Sequence, residues 1–188
     1  MTTKLDEKDR KIIALLSENP DIPQETIASK VDLSQPSVAM RLKKLRDKGV
    51  VASLFGMDPF KMGLYLAKVD ITSSNTTKIL DTFKDCPYFL NGFIVSGEYN
   101  LCLLFIGDDI STLEAIIDFH LRPLEEVQNA IFNIVVDAAR NLIIPVKMDF
   151  EKSDKPPCGI DITCGDCSIY GKRCLGCPIT GHYNGSLW

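Results

Sequence analysis

The sequence predicts an α+β fold in three parts, and three observations carry that reading. Residues 1 to 50 show apolar spacing of helical period, bounded by helix-start and helix-stop residues. From residue 64 short apolar strands alternate with amphipathic helices. Residues 158 to 177 then collect five of the seven cysteines. The expected boundaries are 1–52 for a helical unit, 53–63 for a linker strand, 64–150 for a sheet unit and 151–188 for a linker with a cysteine-rich tail. At 188 residues, with 45% hydrophobic and 24% charged residues, the chain is long enough to pack rather than remain disordered.

The first helix is expected in "LDEKDRKIIALLSENP", where Leu5, Ile12, Ile13 and Leu16 share helical spacing and Pro20 lies just past the end. A shorter one follows in "PQETIASKV", with Pro23 where a missing N–H costs least. After the tight "DLSQ" connection, Ser34 can cap a third helix running to about Lys48, and Gly49 ends it. "VVASLFGM" then reads as a short strand.

The second half reads as strand "LYLAKVDI", helix "TTKILDTFKD", strands "GFIVSG" and "NLCLLFI", helix "STLEAIIDFHL", strand "NAIFNIVVD" and a last strand "NLIIPVKM". The order is βαββαβ with one strand added, and the short "GEYN" joins the middle pair as a hairpin, so an antiparallel sheet with both helices on one face is expected. "LCLLFI" holds six apolar residues without alternation, which implies that both faces are covered. Helices cover one; a partner subunit or domain is expected on the other.

Net charge is −4, but its distribution is uneven. Residues 1 to 50 hold ten Lys/Arg against eight Asp/Glu, and between Gln35 and Val50 five basic residues, Arg41, Lys43, Lys44, Arg46 and Lys48, face one acid, Asp47. A helix that reads DNA needs a basic and polar exposed side, because phosphates attract Lys/Arg while base edges need donors and acceptors. Gln35, Ser37, Met40, Arg41 and Lys44 meet that need, with Arg41 and Lys44 projecting together. A generic helical bundle with a solvated charged face is the plain alternative.

The tail spacing is C-x5-C-x2-C-x6-C-x2-C, formed by Cys158, Cys164, Cys167, Cys174 and Cys177. A C-x2-C pair lets two thiolates reach one centre, and two pairs complete four ligands, so a metal centre is expected. Zinc and an iron–sulfur cluster stand about even: four thiolates hold either, and the Cys177–Pro178 step resembles ferredoxin-type ligation. Cys164, Cys167, Cys174 and Cys177 form the zinc set, and Cys158 is able to replace one of them around a cluster. Free thiols are the plain alternative. Cys86 and Cys102 sit among apolar neighbours and read as inert buried thiols, His120 as packing or surface.

No paired nucleophile and base, phosphate loop or zinc-peptidase motif occurs, so no enzyme is expected. The charged start "MTTKLDEKDRK" lacks the apolar core of a secretory signal, and no run approaches the roughly 20 apolar residues of a membrane span, so the cytoplasm is expected.

"LDEKDRKIIALLSENPDIPQETIASKVDLSQPSVAMRLKKLRDKGVV" resembles the winged helix-turn-helix of the Lrp/AsnC (leucine-responsive/asparagine-operon) regulators, with their L-D-x-x-D opening and S-x-x-x-V-x-x-R third helix. The βαββαβ half resembles their effector-sensing domain of ferredoxin-like topology, with "SGEYN" where the family has a G-x-Y-D-like stretch. The likeness covers residues 5 to about 150 and none of the tail. It implies a transcription regulator on double-stranded DNA, assembled as a homodimer or larger symmetric oligomer. It also implies a small-molecule effector such as an amino acid, near Gly97, Tyr99 and Asn100. Asn100 departs from the family's usual Asp. The rival reading is a redox, electron-transfer or metal-sensing protein whose helical unit docks partners.

Overall fold

The computed structural model describes residues 4–158 and 161–188. They form two compact units, Met1–Leu54 and Phe55–Trp188.

In the first unit, α1 (Glu7–Glu18) starts with a reciprocal cap. The Asp9 amide donates to Asp6 Oδ1 at 2.7 Å, and the Asp6 amide donates to Asp9 Oδ2 at 3.2 Å. Two of the amide donors left over at a helix start are thereby satisfied. α2 (Gln24–Val31) follows Pro23 and stops at Asp32, whose φ of 52° breaks the helical path. α3 (Gln35–Asp47) is capped by the Ser34 hydroxyl, which accepts from the Ser37 amide at 3.4 Å, and is followed by Gly49 at φ 66°. Ile12, Ile27, Val31, Val38 and Leu42 are buried together between the three helices. This apolar seam fixes which side of α3 is left outside.

In the second unit, β1 (Tyr65–Ser73), β2 (Phe89–Ile94), β3 (Leu101–Gly107) and β4 (Val127–Val135) form one antiparallel sheet in the order β2-β3-β1-β4. α4 (Thr76–Phe83) and α5 (Ile110–Ile116) start at the caps Asn75 and Asp109. One sheet face buries Ala67, Val69, Ile71, Leu101, Leu103 and Phe105 with Ile79 and Phe83 of α4 and Leu113 of α5. Phe83 meets Phe105 edge to face, ring centres 5.4 Å apart; truncating either fully buried ring costs about 3–5 kcal/mol. α5 runs into a π-helical turn, Ile117–Leu121, that carries His120.

One expectation needs correction and two are filled out. The stretches expected as strands around residue 53 and in "NLIIPVKM" pair at one point only, Met57 with Ile144, through reciprocal amide bonds of 3.0 and 2.9 Å. Gly56 allows this approach, since a Cβ there would lie 2.4 Å from the Ile144 carbonyl oxygen. Secondly, residues 55–63 and 151–188, expected as a linker and a separate tail, belong to the sheet unit. The tail docks through Trp188, which packs against Tyr88 and Tyr183 and donates from Nε1 to the Lys147 carbonyl at 2.9 Å.

Thirdly, the uninterrupted "LCLLFI" is partly explained from within the chain. Ile106, on the sheet face away from α4 and α5, is buried by Leu64 and by Leu187 of the tail. The same face further along carries Cys102 and Leu104 half-buried, with Phe93 and Ile131 47% and 39% exposed. At its centre Lys68 and Asp70 pair with each other. Asp70 lies opposite Cys102 on one side and Ile131 on the other.

Candidate functional site

The outward side of α3 is set by the buried positions Val38, Leu42 and Leu45. Gln35, Met40 and Lys44 face solvent, Met40 at 68% exposure, with Lys43 and Lys48 beside them. Ser37 is half-buried, its hydroxyl 2.8 Å from that of Ser34. Among the described residues Lys44 makes no ion pair.

Arg41 behaves differently from Lys44. Its Nη1 donates to Asp6 Oδ2 at 2.6 Å and to Asp9 Oδ1 at 2.7 Å, and the side chain keeps 29% exposure. The two carboxylates raise the Arg41 pKa further, Asp6 first and Asp9 second. Asp6 is lowered by the Asp9 amide and then by Arg41. The expected pair of projecting cations is therefore one free lysine and one arginine tied to the start of α1. The acid pair in "LDEKD" was the available signal, because a charge in a helix's first turn is free to attract a cation as well as to cap.

In the sheet unit, Gly97, Tyr99 and Asn100 lie in the β2–β3 hairpin, with Gly97 at φ 122° and Tyr99 half-buried. The Asn100 amide group is engaged by β1: its Oδ1 accepts from the Ser73 amide at 2.9 Å and its Nδ2 donates to the Ser73 carbonyl at 2.7 Å. An Asp here offers no N–H to that carbonyl, so Asn100 suits this hairpin closure.

The tail cysteines meet at a cavity of about 50 Å³ between the tail and the α5 side of the sheet unit. Cys164, Cys167, Cys174 and Cys177 line it together with Cys158 and, from the sheet unit, Cys86. All are free cysteines, and among the described residues no three Cys, His, Asp or Glu side chains close on a single ion-sized point. Cys164 and Cys167 flank a short 3₁₀ turn, Cys164–Asp166, capped by Thr163. Cys174 and Cys177 bracket Gly176, at φ 92°, where a Cβ would come 2.3 Å from the His182 carbonyl oxygen.

Cys86 and His120, read as inert from the sequence, stand at this cavity. Cys158 Sγ is 3.0 Å from His120 Nδ1. Cys158 and Cys86 both line this cavity, and their proximity lowers the Cys86 pKa and raises that of Cys158. Burial lowers His120, favouring the neutral ring, and pushes the Cys177 thiol up to about 12. The rest of the wall is mainly apolar, including Ile116, Phe119, Ile162 and Ile169, with Tyr88, Thr163 and Tyr170 among them.

Hydrogen bonds hold the tail in place around it. The Tyr88 hydroxyl donates to the Gly176 carbonyl, and the Leu175 amide donates to Thr112 Oγ1 at 2.9 Å. Asp108 accepts from the Tyr183 hydroxyl and from the Ser186 amide and hydroxyl, the latter two at 2.9 and 2.7 Å. Arg173 reaches Asp118 at 3.0 Å.

Residues 5–52 match the family model for winged helix-turn-helix DNA-binding domains. The DNA-binding transcriptional activator DecR of Escherichia coli is 30% identical over 103 residues, which cover 51% of this chain and 68% of DecR. The HTH-type transcriptional regulator LrpA of Pyrococcus horikoshii is 23% identical across 71% of this chain and 97% of its own length. Among solved structures, E. coli AsnC superposes with a TM-score of 0.63 at 16% identity, covering 76% of this chain and 99% of AsnC. The regulator NMB0573 of Neisseria meningitidis, solved with L-Met, gives 0.61 at 24%, covering 76% and 97%. These relatives are regulators and not enzymes, and among the described residues no helix is long and apolar enough to cross a membrane. With its basic third helix, its β2-β3-β1-β4 sheet and this degree of likeness to DecR, the chain belongs to the Lrp/AsnC family of DNA-binding transcription regulators.

Proposed function

We propose that the chain binds operator DNA as a symmetric dimer, with α3 in the major groove and Gln35, Met40 and Lys44 as its contact row. The observation that carries this is the contrast on α3: Lys44 and Gln35 stand free in solvent while Arg41 is anchored to Asp6 and Asp9. A glutamine amide matches the donor and acceptor pair of adenine, and Lys44 suits a phosphate or guanine. Ser37, hydrogen-bonded to Ser34, offers a hydroxyl for a phosphate at the helix start, and Arg41 holds the reading helix against α1 instead of reading bases.

Dimers form through the sheet face of Phe93, Leu104 and Ile131, whose apolar side chains α4 and α5 do not cover. The regulator complex with L-Met supports an amino acid as the effector class, and the Gly97–Asn100 hairpin is its candidate region. Cys164, Cys167, Cys174 and Cys177 hold a metal centre, which the cavity they share supports.

The test is binding of the full chain to duplexes enriched from a random pool, measured as fluorescence anisotropy across a salt series. Lys44→Ala should weaken binding to all sequences and flatten the log K against log salt slope by about one, whereas Gln35→Ala should relax preference at one base position. Unchanged slope and preference in both would remove α3 as the reading element.

A further inference from the structure

We propose that the cavity between the tail and the sheet unit binds an iron–sulfur cluster, ligated by Cys164, Cys167, Cys174 and Cys177. Cys86, Cys158 and His120 form its wall on the sheet side. This rests on the reading that the four tail thiols hold a metal, and it names the centre and what surrounds it.

The arrangement of the thiols is the first reason. A single zinc ion needs four sulfurs about 2.3 Å from one point, hence about 3.8 Å from one another. Here six thiols ring a cavity of about 50 Å³. A cluster spreads its four thiolates over more than one iron, one per iron in a [4Fe–4S] cube and two per iron in a [2Fe–2S] rhomb, so it suits sulfurs set further apart than around one ion.

The second reason is the placement of donors. The Gly176 amide points at Cys174 Sγ from 3.4 Å, and the buried Thr180 hydroxyl lies 3.5 Å from Cys164 Sγ and 3.0 Å from the Cys177 carbonyl. The single Thr180 proton serves the nearer carbonyl while Cys164 is a thiol and can turn to its sulfur once it is a thiolate, a far better acceptor. Such hydrogen bonds accompany cluster ligation and tune it. The amide at Gly176 is aimed by a backbone conformation that a side chain there would not permit.

Third, Cys158 Sγ is 3.0 Å from His120 Nδ1, and Cys86 comes to the cavity from the sheet unit, which sets these two apart from the ligand four of the tail. Ile116 and Ile169 line the inner wall, while Phe119 and Ile162 form its partly exposed rim. The Cys174–Cys177 arm is itself held to the sheet unit through Tyr88 and Thr112.

The test is full-length protein purified without oxygen, assayed for iron, acid-labile sulfide and zinc, with visible and electron paramagnetic resonance spectra before and after dithionite. Iron and sulfide in equal amounts are expected. Both should fall to background in Cys164→Ser and Cys174→Ser and persist in Cys86→Ser and Cys158→Ser, with folding checked by circular dichroism. Should a serine variant not fold, the wild-type chain gives the same assignment. Stripping the cluster should make Cys164, Cys167, Cys174 and Cys177 alkylatable without changing Cys86 or Cys158. Zinc without sulfide would overturn the cluster and leave the metal reading standing. No metal, with the tail thiols freely titratable, would overturn both. Loss of the cluster in Cys86→Ser while Cys164→Ser retains it would overturn the ligand assignment.

Discussion

Arg41 Nη1 lies 2.7 Å from Asp9 Oδ1, so the third helix is bolted to the first turn of α1 by a charge pair that also involves Asp6. The cap of α1 and the seat of α3 therefore share the same two carboxylates. Arg41→Ala should destabilise the N-terminal unit by about 1 kcal/mol, a discounted figure because the group stays partly exposed. On a unit this small that is a fall of roughly 4–8 °C in its unfolding midpoint, read by differential scanning calorimetry. An unchanged midpoint together with a large loss of DNA affinity would return Arg41 to the contact row.

Asp108 makes the tail's docking sensitive to acid. Burial alone would raise its pKa, but the Ser186 and Tyr183 hydrogen bonds outweigh this and hold it below the usual 3.8. A carboxyl depressed in the folded state contributes stability that is full above its unfolded pKa and is lost as pH falls through its folded one. The tail should thus loosen only below about pH 4, seen as a rise in hydrogen exchange at residues 183–188. Asp108→Asn should show that loosening already at pH 7, and equal exchange in both proteins at pH 7 would count against the Asp108 anchor.

Gly176 is fixed by space as well as by its φ of 92°. Gly176→Ala should displace the Cys174–Cys177 arm from His182 at a cost of about 1–3 kcal/mol, and limited proteolysis should then cut the tail while residues 64–150 survive. A tail as resistant as the wild type's would show that the arm adapts without loss.

What was legible in the sequence follows the range of the contacts. Caps, periodicity and the βαββαβ order depend on neighbours a few residues apart, and Asp6, Ser34, Asn75 and Asp109 act locally where helices start. The Arg41 ion pairs are not legible in the sequence, because its partners stand 32 and 35 residues earlier and helical spacing alone shows a face without showing what lies opposite. Spacing within the tail identified its four paired cysteines, yet Cys86 and His120 reach the same cavity only through the fold. Ile106 is a similar case: its apolar run called for cover, and Leu187 at the chain's end supplies part of it.

The uncovered face of Phe93, Leu104 and Ile131 predicts association. The wild-type chain should sediment as a dimer or larger at micromolar concentration. Ile131→Glu should give a folded monomer, because covering that face would then strip water from a carboxylate and the apolar contact would be lost. A monomeric wild type would leave that face unexplained.

The most direct test of the whole account is a hydroxyl-radical footprint of the full chain on its enriched duplex. A symmetric dimer with α3 in the major groove predicts two protected half-sites, related by a pseudo-two-fold axis and centred about 34–36 Å apart, roughly one helical turn, or a multiple of it. A single short protected stretch with no symmetry in the bound sequence would contradict it.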